Sequence, residues 1–159
     1  MSNRVLIALD SSEGAWRAVE YVAKTFGPSP GVEVTLLHVL SGLPPAFWDD
    51  GHILSEAERG VRTRMIAGWQ KEQEKQWNSL VNKAKKQLKD AGMAGAVTGK
   101  FQPKYFDVAE DILNEARTGG FDTIVMGRRG LGKATSLLLG SITAKVVQAA
   151  KGCAVTVVE

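Results

Sequence analysis

Two spacings of glycine compete for the stretch VMGRRGLGKATSLLLGSIT, Val125 to Thr143. Gly127, four residues, then Gly132 and Lys133 nearly spell the phosphate loop G-x-x-x-x-G-K-[ST]. Gly127, two residues, Gly130, nine residues, then Gly140 and Ser141 spell a different motif. The first needs a hydroxyl directly after the lysine, because that oxygen ligates magnesium. Position 134 is Ala, and Thr135 comes one residue late. A loop of that kind normally follows an early strand, so that later strands can supply the metal-binding Asp. Here about thirty residues remain, and their one strand carries no acid. The chain has no P-loop.

The second spacing has its own physical logic. Gly127 and Gly130 follow an apolar run, where a missing side chain lets backbone N–H groups approach an anion and permits positive φ. Gly140 and Ser141 open a helix, whose unpaired N–H groups and positive dipole end attract phosphate. Two such cradles, joined by a nine-residue excursion, suit a polyphosphate. The alternative is that Gly127 merely ends its strand. Charge favours the phosphate: between Thr123 and Val158 there is no acid, yet Arg128, Arg129, Lys133, Lys145 and Lys151 occur there. The formal charge of +3 is therefore concentrated on the glycine-rich stretch, and phosphate ranks ahead of a solvated basic face or a polynucleotide.

These residues need a scaffold. Arg4–Leu9 is a continuous apolar run ended by Asp10, as expected of a parallel strand buried on both faces. Ser11 or Ser12 then caps a helix bearing Ala15, Ala18, Val19, Val22, Ala23 and Phe26, stopped by GPSPG. Val32–Leu40 is a second strand. A long amphipathic helix is expected from about Trp69 to Ala91, with Trp77, Leu80, Val81, Ala84 and Leu88 as its apolar stripe. Ala96–Phe101 is a third strand; Val108, Ala109, Ile112, Leu113 and Ala116 mark a helix closed by Gly119 and Gly120. Asp122–Met126 is a fourth strand, followed by the glycine-rich loop, a helix over about 141–150, and a last strand Ala154–Val158. Strict alternation implies an α/β fold with a parallel sheet and helices on both faces. Only 41–68 breaks the rhythm: Pro44, Pro45, Phe47 and Trp48, with a short helix around Ser55–Met65, form an insertion or a lid.

At 159 residues the chain fits one domain, 1–159, with enough apolar sequence for a core. Cys153 has no partner for an intramolecular disulfide, and no Cys or His cluster has metal-site spacing. The N-terminal apolar run is too short for a signal peptide, and no segment reaches the roughly 18 apolar residues of a membrane helix. A cytoplasmic protein without membrane or nucleic-acid partners is expected.

ALDSS after strand one, MGRRG…GS after strand four and AVTVV at the C-terminus together resemble the universal stress protein family, specifically its ATP-binding branch with the signature G-x2-G-x9-G-[ST]. The likeness runs from Arg4 to Val158 and is weakest over 41–68. It implies a doubly wound, five-stranded parallel sheet of order 3-2-1-4-5, of the adenine-nucleotide α-hydrolase type. ATP would lie where strand one meets strand four, with magnesium or manganese on its phosphates rather than on protein side chains. By this resemblance Asp10 lies toward the ribose and adenine, Ala8 and Leu9 wall the base, and the main chain of Val39 reads its edge. Met126 touches the base or fills the core. Gly127, Gly130, Gly140 and Ser141 hold phosphate, Ile142 adds an N–H group, and Arg129 lies along the loop with Arg128 near it. The resemblance also implies a homodimer through strand 154–158.

Three positions depart from the family pattern. Val108 stands where a Gly-x-Pro turn often has Pro, Arg128 replaces a frequent Ser or His, and Cys153-Ala154 replaces Cys-Pro. His38 and His52 are read as structural; Thr135 and Ser136 are exposed hydroxyls and weak candidates for phosphorylation. No paired carboxylates or Ser-His-Asp set accompanies the glycines, so ATP is expected as a ligand or switch in a stress response, with slow or no hydrolysis. The runner-up is a slow ATPase or nucleotidyltransferase, although Asp10-Ser11-Ser12 stands where such enzymes have a Ser-Gly-Gly loop. A third alternative is a dimeric module that binds a protein partner without nucleotide.

Overall fold

The computed structural model describes residues 3–131 and 138–159. Gly132, Lys133, Thr135 and Ser136, singled out above, lie outside the described residues. The strands are β1 (Asn3–Ala8), β2 (Val32–Leu40), β3 (Val97–Pro103), β4 (Thr123–Gly127) and β5 (Ala154–Val158). The helices are α1 (Glu13–Phe26), α2 (Glu56–Asp90), α3 (Val108–Thr118) and α4 (Ser141–Ala149), with one 3-10 turn at Pro45–Phe47. All pairings are parallel, and the order is β3-β2-β1-β4-β5. The expected α/β architecture and strand order are therefore those observed.

Apolar runs rather than alternating patterns make these strands because both sheet faces are covered. Val5, Ile7, Val34, Leu36 and Val125 face one way, into a core closed by α1 and α2. Leu6, Leu37, Val39, Ile124 and Met126 face the other way, against α3 and α4. Leu6, Ile7, Leu36 and Ile124 are fully buried, each contributing roughly 1.5–3 kcal/mol by leaving water. The strand limits differ from the expected ones by a residue or two. Leu9, for instance, falls outside β1 yet still donates its N–H to the Leu37 carbonyl at 2.8 Å.

The segment 41–68 is organised differently from the expectation. The short helix near Ser55–Met65 and the long helix from Trp69 are one continuous helix of 35 residues. It starts at a reciprocal capping box between Ser55 and Glu58, and no proline interrupts it. The apparent break came from burial: only Trp77, Val81, Ala84 and Leu88, all in the second half, are buried. The first half packs instead on the 3-10 turn. Phe47 and Trp69 rings lie 6.5 Å apart, Arg62 donates to the Phe47 carbonyl at 2.6 Å, and Trp48 Nε1 donates to the Leu43 carbonyl at 2.7 Å.

Gly60 and Gly68 sit inside this helix with nothing within 4 Å of where a Cβ would be. Gly60→Ala and Gly68→Ala should each stabilise the first half by about 0.5–1 kcal/mol, since alanine costs less to order. Amide exchange over Glu56–Trp69 should slow in both variants; unchanged or faster exchange would contradict a continuous helix there.

Candidate functional site

β1 is flanked by β2 on one side and β4 on the other, and the chain leaves β1 and β4 toward opposite faces. A crevice opens between their carboxyl ends, where ligands of open parallel sheets sit. It holds a cavity of about 500 Å³, within the roughly 300–1,000 Å³ of small-molecule sites. Ala8, Leu9, Asp10, Val39, Met126, Gly127, Arg129, Gly130, Gly140, Ser141 and Ile142 all line it. Arg128 does not: its N–H continues the ladder to the Val158 carbonyl at 2.8 Å, and its guanidinium meets the Glu159 carboxylate at 2.5 Å. Arg128, one of the two arginines expected near the phosphates, is directed to the end of β5.

Each wall has a local cause. Ser12 caps α1 by accepting the Ala15 N–H at 3.2 Å, and Asp10 accepts the Ser12 N–H at 2.8 Å through Oδ1. Asp10 Oδ2 consequently lies against the glycine loop, 3.2 Å from where a Cβ of Gly130 would be. Across the crevice, Thr143 Oγ1 donates to the Gly127 carbonyl at 3.0 Å, and Gly140 N–H donates to the Arg128 carbonyl at 3.0 Å. These bonds tie α4 to the end of β4.

The start of α4 is chemically unusual in this chain. α1, α2 and α3 each have a side chain at the N-cap that accepts a backbone N–H (Ser12, Ser55 and Asp107) and acids in the first turn. α4 begins at Gly140 with no side-chain cap and no acid in its first turn. Its free N–H groups and positive dipole end lie at the cavity wall formed by Gly140, Ser141, Ile142 and Thr143.

The signature glycines do not use the positive φ that glycine permits. Gly127, Gly130 and Gly140 do not occupy the left-handed region; among the described residues, the positive φ values fall at Gly31, Gly51, Gly92, Gly120 and Gly152. What the three positions share is close approach. A Cβ on Gly140 would stand 3.4 Å from Arg129 Cα, and one on Gly127 would collide with the backbone of Gly14.

Several lining residues were not singled out from sequence as site residues, among them Ser12, Ala15, Leu37, Ser41, Val108, Ile112 and Thr143. Val108 and Ile112, spaced i and i+4 on α3, were assigned to core, and nothing local distinguishes a core stripe from a pocket wall. His38, read as structural, both packs and lines the cavity. Its ring stacks 5.7 Å from Trp77 and from Phe101, and its Nδ1 donates to the Leu9 carbonyl at 2.8 Å. Of 41–68, only Ser41 reaches the cavity. Burial pushes the Cys153 thiol up, away from thiolate chemistry.

Among the described residues, Asp10 is the one carboxylate lining the cavity, and no three His, Cys, Asp or Glu side chains gather as a metal site. Lys145 is directed outward to Asp107, the cap of α3, so the pair holds α3 and α4 together. The hydrogen bond from Lys145 keeps the Asp107 carboxyl below the usual carboxylate range and raises the Lys145 ammonium.

The universal stress protein family model matches residues 1–159. Universal stress protein YxiE of Bacillus subtilis is 26% identical over 156 residues, spanning 93% of both chains. Universal stress protein MJ0577 of Methanocaldococcus jannaschii is 30% identical over 170 residues, 93% of this chain and 90% of that one. Its solved structure superimposes with a TM-score of 0.75, covering 99% of this chain and 96% of the other. An Arabidopsis thaliana family member solved with AMP bound matches with a TM-score of 0.61 at 18% identity, over 98% and 90%.

For the Asp107–Lys145 pair the linkage has two arms. The depressed Asp107 contributes stability above its unfolded pKa and loses it as pH falls through the folded value; the raised Lys145 contributes below its unfolded pKa and loses it as pH rises through the folded value. Carboxyl-carbon NMR should therefore show Asp107 titrating below the ordinary range, and Lys145→Met should return it upward. An unmoved titration in that variant would show that the pair is not formed.

Proposed function

Because the chain belongs to the universal stress protein family, we propose that it is an ATP-binding regulatory protein in which the nucleotide serves as ligand or switch, with slow or no hydrolysis. The observation that carries this is the uncapped, acid-free N-terminus of α4 facing a cavity whose opposite wall is a glycine loop. A polyphosphate would supply the negative charge that side chains supply to the other helices. Solved family members carry AMP, cAMP or dAMP, which supports an adenine nucleotide in this fold.

The base would occupy the apolar end formed by Ala8, Leu9, Val39 and Met126, with the main chain of Val39 at its edge. The phosphates would lie on Gly130, Gly140, Ser141 and Ile142, with Arg129 alongside. Magnesium or manganese would take its ligands chiefly from those phosphates, since Asp10 is the one acid available. Asp10 lies close enough to Gly130 to approach the phosphate end as well as the sugar. Its carboxylate is held by the Ser12 N–H, which suits a binding role better than that of a mobile base.

Hydrolysis needs an oriented water and charge neutralisation at the γ-phosphate. A single-turnover assay with labelled ATP and magnesium reads affinity and rate together. Wild type should bind saturably and turn over far below the roughly 1–10³ per second of typical enzymes. Gly130→Val should abolish binding with an unchanged circular dichroism spectrum, and Asp10→Ala should weaken affinity more than it changes the bound-state rate. Retained affinity in Gly130→Val would refute the site. Fast hydrolysis that collapses in Asp10→Ala with affinity intact would instead make this an enzyme with Asp10 catalytic.

A cytoplasmic homodimer completes the proposal. β5 pairs with β4 on one edge, leaving its other edge as the end of the sheet with Val155, Val157 and Val158 half-buried. Such an apolar edge invites isologous pairing with a second copy. Light scattering at micromolar concentration should show a dimer, and Val157→Pro should shift it to monomer by removing a ladder donor. A monomeric wild type would refute it.

A further inference from the structure

Gly127 opens the glycine signature, yet its missing side chain faces α1. A Cβ there would lie 2.6 Å from both the Cα and the carbonyl oxygen of Gly14, closer than the 3.0 Å that real Cβ atoms keep. Gly14 occupies the first turn of α1. A Cβ on Gly14 would in turn be driven into the Arg129 carbonyl oxygen and stand 3.3 Å from Gly127 Cα. Every atom in these encounters is backbone, so no rotamer change relieves them. Neither glycine uses positive φ. Distance alone demands glycine on both sides, in a helix that alanine would otherwise favour.

The contact reaches into the cavity. With α1 seated on the Arg129 carbonyl, Gly130 falls beside Asp10 Oδ2, and Gly140 falls against Arg129 Cα. Gly140 N–H then bonds the Arg128 carbonyl at 3.0 Å, and α4 starts from there. We propose that Gly14, which lies outside the glycine signature, is a positioning residue of the nucleotide site. It lets α1 press the Arg128–Gly130 backbone into the place from which both cradles are built. The proposal rests on the nucleotide reading above only for its effect on affinity; the effect on the loop is independent of any ligand.

The test compares Gly14→Ala with wild type and with Gly60→Ala, whose new methyl enters open space. Amide exchange is read by NMR without nucleotide, and affinity by calorimetry with MgATP. In Gly14→Ala the Gly140 and Arg128 amides should lose protection while Val19 and Val22, deeper in α1, keep theirs. MgATP affinity should fall roughly tenfold to a hundredfold, the range that backbone overpacking produces. Gly60→Ala should change neither. Unaltered protection at Gly140 and Arg128, or a uniform loss through α1 that spares the loop, would overturn the proposal. Wild type that binds no MgATP would sink the nucleotide reading, and the exchange data would still decide for or against Gly14. Should Gly14→Ala fail to fold, a wild-type nuclear Overhauser contact between the Gly14 and Gly127 α-protons decides: its presence, with MgATP shifting the Gly14 resonances, supports the role, and its absence overturns it.

Discussion

The central constraint is that β1 is hydrogen-bonded on both edges to parallel strands, β2 and β4. Parallel neighbours end on the same side of the sheet, so the loops leaving them emerge together. The helix after β1 covers one face and the helix after β4 covers the other. The two exits must diverge, and the crevice is what divergence leaves. Both its flanks are then helix N-termini, α1 and α4, with their backbone N–H groups turned toward the same opening.

The two flanks meet this situation differently. At α1 a side chain takes part of the load, since Ser12 accepts the Ala15 N–H and Asp10 in turn accepts the Ser12 N–H. α4 is anchored through Thr143 and Gly140 to the end of β4 but has no capping side chain. A capped helix has little to offer an anion, and an uncapped one has N–H groups to spare. The asymmetry is the reason the α4 end of the cavity is the one proposed for negative charge. The other end, built from Ala8, Leu9, Val39 and Met126, is apolar.

Close backbone packing sets the geometry. Gly14, Gly127 and Gly140 bring two helix starts and a strand end within reach of one another, backbone against backbone, and Gly130 leaves room for Asp10 Oδ2. In a polyphosphate site this is an advantage, because main-chain donors cannot rotate away as side chains do. The first half of α2 shows the opposite economy. A Cβ at Gly60 or Gly68 there would meet nothing within 4 Å, and the helix packs through Trp69 on the turn carrying Phe47.

Sequence alone determined the strands, the α/β class and much of the cavity lining. Runs such as Val32–Leu40 are apolar because both faces of a parallel strand are buried, and that signal is local. The glycine spacing and its resemblance likewise located Gly127, Gly130, Gly140 and Ser141, and the lack of acid from Thr123 to Val158 marked the charge. What sequence could not decide was direction and distance across the fold. Arg128 and Arg129 are neighbours of identical chemistry, yet one meets Glu159 at the end of β5 and the other lines the cavity. Nothing local marks Gly14, whose role depends on the end of β4 packing upon it. Val108 and Ile112 were legible as a helix stripe, but only assembly showed that the stripe also walls a cavity. α2 was divided because periodicity registers burial, and its first half has no buried residue. Local pattern reports what a residue is made for; only packing of segments remote in sequence decides what it touches.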